Sequence, residues 1–212
     1  MAHPHSLPGV SRWQAVLAAL LIGASYAALP EHLRVGPSWL PLLLIVLLLA
    51  PLLAAHRRGA HDLAHWLGRA LTGLITLLIG ASTALLVARV PGQKTAGSPL
   101  LRDAALLWGG NILLFALWYW EIDGGGPGHR HFGHYQSRDF AWPQFQQDPR
   151  DAGGYWMPDF LDYLFLAFNT STAFSPTDTL ILSRRAKLLL MLQSLISLTV
   201  LAVLAARAIN TL

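Results

Sequence analysis

Apolar residues along this chain gather in long runs, not at the spacing of a helix face or a half-buried strand. A helix that crosses a bilayer needs about 20 mostly apolar residues, and several runs approach or reach that length. The five runs cover residues 13–29, 39–55, 66–90, 104–120 and 188–206. The first follows Arg12 and has Ser25 and Ala27 near its end, a signal-peptide-like pattern, and is read here as a retained span. The second carries Pro41 and Pro51, tolerated where neighbouring helices re-satisfy the freed carbonyls. Gly73, Gly80, Ala81 and Ser82 in the third allow close helix approach. The fourth ends in "LWYW", an interfacial aromatic belt, and is stopped by "EIDGGGPG".

Between the fourth and fifth runs the chain changes character twice. Residues 121–158 are rich in turn formers, aromatics and both charge signs, which predicts an ordered extramembrane loop. Residues 159–179 begin as a short aromatic stretch, "DYLFLAF". They then become a run of hydroxyls, with Asp178 near the end. The expected fold is an all-α integral membrane domain over residues 1–212. Three N-terminal spans occupy 13–90. An outer helix (104–120), the loop (121–158), a re-entrant segment (159–179) and an inner helix (188–206) complete it.

Composition agrees with a bilayer. The chain is 54% hydrophobic and 12% charged, with a mean hydropathy of +0.45; soluble domains carry roughly twice that charged fraction. The absence of cysteine excludes disulfides, thiolate metal sites and thiol nucleophiles. The net charge of +4 does not point to nucleic acid, because the basic residues stand in ones and twos at the ends of apolar runs. That is where membrane proteins place them against headgroups.

The acids are distributed differently. Eight of the eleven fall between Glu121 and Asp178, opposed only by Arg130, Arg138 and Arg150. An acidic rim concentrates cations, as Asp and Glu rings do at cation-channel mouths. A solvated loop would carry the same acids.

Catalytic signatures are missing. The chain has no G-x-S-x-G, phosphate-binding loop or H-E-x-x-H, so no catalytic residue and no enzyme activity is expected. "HRHFGH" brings His129, His131 and His134 together near Asp123, and His61 and His65 share a helix face. Neither set has the spacing of a defined metal site. No histidine lies within an apolar run, against a membrane haem. No metal or cofactor is expected.

The segment from Asp162 to Asp178 resembles a potassium-channel pore. The general pattern there is an acid, an aromatic half-length helix, T-x-T-T-V-G-Y-G-D and an inner helix. Asp162 takes the place of the opening acid and "YLFLAF" that of the pore helix. Thr170 and Thr172 fall on two of the threonines, and Asp178 on the terminal acid. The resemblance covers about fifty residues and excludes the first three runs. It implies a re-entrant loop, a homotetramer and monovalent cation conduction, because one loop per subunit cannot enclose a pathway. The filter-like residues it implies are Thr170, Ser171, Thr172, Ala173, Phe174, Ser175, Pro176, Thr177 and Asp178, with Phe174 sealing the loop against the inner helix. Gln193 and Ser197, on one face of the last run, would either wet an inner cavity or bond to neighbouring helices.

The filter departs from the potassium pattern. Phe174, Ser175, Pro176 and Thr177 replace V-G-Y-G. Glycine adopts the left-handed angles of such a filter at little steric cost, whereas Pro176 fixes φ and removes an N–H. A potassium-type stack of carbonyls is therefore not expected. "YWEIDGGGP", "AFSPTDT" and "RRAKLLLMLQSLISL" also resemble uncharacterised bacterial multi-pass membrane proteins.

Two readings follow. One is a pore-loop protein of the cell membrane that passes monovalent cations. The other is a non-conducting scaffold or partner subunit, in which "NTSTAFSPTDT" is a helix break and Thr179 caps the last helix.

Overall fold

A computed structural model describes residues 13–89, 97–130, 138–146, 156–172 and 178–210. Its helices are α1 (Trp13–Ala27), α2 (Trp39–Arg57), α3 (His61–Arg89), α4 (Gly97–Ile122), the single turn α5 (Pro127–Arg130), α6 (Phe160–Thr172) and α7 (Arg184–Asn210). Among the described residues three stretches are long and apolar enough to cross a membrane: Asp62–Ala88, Leu101–Gly125 and Arg184–Ala206. α1 and α2 are apolar and shorter. The helices of the fourth and fifth runs both begin earlier than the apolar pattern alone placed them, because Arg102, Asp103, Arg184 and Arg185 are carried inside helical turns.

Among the described residues one pair of short strands joins the helices. β1 (Phe140–Ala141) pairs antiparallel with β2 (Leu180–Ile181). Leu182 N–H extends this pairing by donating to Asp139 O at 2.8 Å. Thr179 therefore leads into a strand and does not cap α7. That role belongs to Ser183, whose Oγ accepts from Ala186 N–H at 3.1 Å.

Contacts between the helices fix their directions. Arg102 at the start of α4 donates to Ala28 O just beyond α1, while His65 near the start of α3 meets Glu121 near the end of α4. Hence α1 and α3 both run against α4. α1 begins at the end of the bundle where α4 finishes, and Trp13 there shares a groove with Phe160 and Leu161 of α6. This is the loop end. α4 is the central element and packs against α1, α3, α6 and α7. Its buried residues include Leu107, Leu114, Phe115, Ala116 and Tyr119.

The α4 helix stops where three glycines follow. Gly124, Gly125 and Gly126 have φ of 59°, 84° and 98°, angles that L side chains resist. The turn sends the chain over the loop end, where Phe140 is fully buried. It packs on Tyr119 at 5.5 Å, Trp142 at 6.0 Å and Tyr163 at 6.2 Å between ring centroids.

Candidate functional site

The α6 helix is half length. Its 13 residues extend about 20 Å at 1.5 Å per residue. A reciprocal cap sets its start. Asp159 Oδ1 accepts from Leu161 N–H at 2.8 Å, while Asp159 N–H donates to Asp162 Oδ2 at 2.8 Å. This is a capping box built from two aspartates. Burial raises the Asp162 carboxyl from 3.8 to about 6, against the lowering effect of the backbone N–H it accepts.

Both α6 and α7 start at the loop end. Tyr163 in the first turn of α6 donates to Asp123 Oδ2 at 2.7 Å. Arg185 in the first turn of α7 donates to Asp139 through Nε and Nη2, each at 2.6 Å, and to Ile122 O at 3.0 Å. Asp123 and Asp139 are buried. The acids of this loop were expected at a solvated rim; these two instead hold the fold.

Further down, α6 and α7 run side by side. Gln193 Nε2 donates to Ala167 O at 2.6 Å and to Ser171 Oγ at 2.7 Å. Its Oε1 accepts from Tyr119 OH of α4. One turn on, Ser197 Oγ donates to Ser171 O at 2.9 Å and accepts from Trp108 Nε1 at 2.8 Å. The C-terminal turn of α6 thus lies deep in the bundle beside Ser197, while Leu180 is back at the loop end in β2. The chain goes in along α6 and returns to its starting side between Thr172 and Leu180.

The expected site residues are placed differently from one another. Thr170 and Thr172 are partly buried and donate to their own helix, to Leu166 O at 2.8 Å and Phe168 O at 3.0 Å. Ser171 is buried and bonded to α7. Ala173, Phe174, Ser175, Pro176 and Thr177 lie outside the described residues, and Asp178 is exposed. Gln193 and Ser197, 0% and 2% exposed, make bonds to neighbouring helices. The sequence reading did not single out Tyr119, Asp139, Arg185 or the His65–Glu121 pair. The available signal was an acid inside or just past an apolar run, which is costly unless paired. Among the described residues, no group of three or more His, Cys, Asp or Glu side chains is placed to hold a metal.

No protein-family model, curated protein or solved structure matches the chain.

Proposed function

We propose that this protein is a pore-loop membrane protein that passes monovalent cations as a homotetramer in the cell membrane. The observation that carries the reading is the half-length α6 helix. It enters beside α7 from the loop end, and the chain comes back to that end by residue 180. The sequence that joins α6 to β2, "AFSPTDT", is rich in hydroxyls, as suits backbone at membrane depth that is buried in protein or lines water. The exposed apolar faces of α6 and α7, including Phe165, Leu188, Met191 and Leu195, are available for subunits or lipid. Asp178, exposed at the return, would set the charge at the mouth.

Ion flux in liposomes tests this directly. Purified protein should pass K⁺ or Na⁺ and not Cl⁻, with the flux altered in Asp178→Ala. A monomeric particle that carries no cation flux would overturn the proposal. One observation favours the scaffold reading instead. Gln193, Ser197 and Ser171 satisfy one another within a single chain, so α6 is fastened without a partner subunit.

A further inference from the structure

Glu121 is a buried acid in α4 that no described hydrogen bond satisfies. Its side chain is only 7% exposed, near the end of the apolar Leu101–Gly125 stretch. Neither Asp123 nor Asp139 is left like this, since each accepts hydrogen bonds from described groups. The Glu121 carboxylate accepts none from a described residue. It faces His65 Nδ1 at 3.7 Å and a cavity of about 30 Å³. A cavity of that size has room for a water molecule.

Two glycines leave space for this pair. A Cβ on Gly68 would stand 2.7 Å from Glu121 Oε1, and a Cβ on Gly126 would stand 2.9 Å from His65 Nδ1. Any side chain at position 68 would displace the carboxylate.

We infer that Glu121 and His65 form a buried proton-binding site at the α3–α4 seam. A metal ion fits poorly. Hard cations take six or more oxygen ligands, whereas the side chains lining the cavity offer one carboxylate and the Thr72 hydroxyl among aliphatic walls and the Trp120 indole. That hydroxyl already donates to Gly68 O. A proton needs only the two groups present. It arrives from water at the loop end through His65, whose side chain is 17% exposed. It is held as N–H on the imidazole or O–H on the carboxyl, and returns to water by the same route. α1 and α2 present Ala15, Val16, Leu49 and Leu52 to the cavity beside Glu121, and none of these can titrate. An ionisable side chain inside a membrane helix is a functional candidate by default, with proton relays among the known uses.

The test is pH-difference infrared spectroscopy of the full chain in lipid. An Asp162→Asn background removes the carboxyl in the first turn of α6 from the spectrum. A carboxylic-acid C=O band that rises and falls with pH should vanish in Glu121→Gln, and its midpoint should move in His65→Gln. Gly68→Ala keeps both titrating groups, so it remains informative if Glu121→Gln fails to fold; it too should move the midpoint. A band unchanged in Glu121→Gln would overturn the assignment, as would an unmoved midpoint in both His65→Gln and Gly68→Ala.

Discussion

The first three helices and the elements from α4 onwards are held together by different chemistry. Between α1 and α2 the contacts are aliphatic and close. Gly23 lies so near Leu42 that an added Cβ would approach its Cδ1 to 2.9 Å. The hydroxyls of Thr72 and Thr83 turn back to Gly68 O and Ile79 O of their own helix. From α4 onwards the elements are instead joined by buried polar groups: Asp123 to Tyr163, Asp139 to Arg185, and Gln193 to Tyr119, Ala167 and Ser171. Lipid tails are as apolar as leucine, so apolar contact alone gives membrane helices little preference for one partner or register. A long helix can rely on its length to stay in place. A half-length helix cannot, and the polar pins lie where α6 needs them.

The contrast is broken most severely at Arg185. The Asp139 carboxylate is 1% exposed and Arg185 48%, so the partners are not equivalent. Arg185→Ala would leave a buried carboxylate without its cation, which costs about 3–5 kcal/mol. Asp139→Ala would leave an arginine that can turn to water, and should cost less. Thermal unfolding in detergent reads both, and equal losses would contradict the asymmetry. The next effect is expected at Gln193→Leu, which removes the bonds to Tyr119 OH, Ser171 Oγ and Ala167 O together. Polar contacts between membrane helices are each worth roughly 0.6–2 kcal/mol, so a loss of about 2 kcal/mol is expected. Protease access to α6 should rise with it.

The sequence made the two regions unequally legible. Runs 13–29 and 39–55 predicted the bounds of α1 and α2 closely, because a long apolar run is readily helical whatever packs against it. The short α6 was also visible, since "DYLFLAF" is too brief to span and ends in hydroxyls. Its fastening was not. Asp139 and Asp178 look alike as isolated acids in a polar loop, yet one is buried under Arg185 and the other is exposed. What separates them is the β1–β2 pairing between residues forty positions apart, and such a short pairing leaves no periodicity to read. Gln193 was legible as a polar residue in an apolar helix. Its partners were not, because they come from two other helices.

At the aliphatic side, Gly23→Ala sharpens the comparison. The new methyl meets the ends of the Leu42 and Ile45 side chains at 2.9 and 3.0 Å. These are flexible tips and can give way, so overpacking should cost about 1 kcal/mol. Detergent unfolding should show this loss with the α6 protease pattern unchanged. A change at α6 would mean that the two regions are coupled, and that the polar pins depend on how tightly α1 seats on α2.

The smallest effect belongs to the α6 cap, and it depends on pH. Burial raises the Asp162 carboxyl to about 6 in the folded chain, from an ordinary value of 3.8. The folded state therefore binds this proton more tightly than the unfolded state. The stability it contributes is fully present below pH 3.8 and is lost as pH rises through about 6. Asp162→Asn retains an oxygen for the Asp159 N–H but cannot ionise. Relative to that variant, the parent protein should lose stability across this window and then hold a constant difference above it. Partial exposure screens the charge, so the difference should stay below about 1 kcal/mol. A loss that appears as pH falls would reverse the sign. It would mean that the ionised carboxylate is the form the cap prefers, with the Asp159 N–H outweighing desolvation at the mouth of α6.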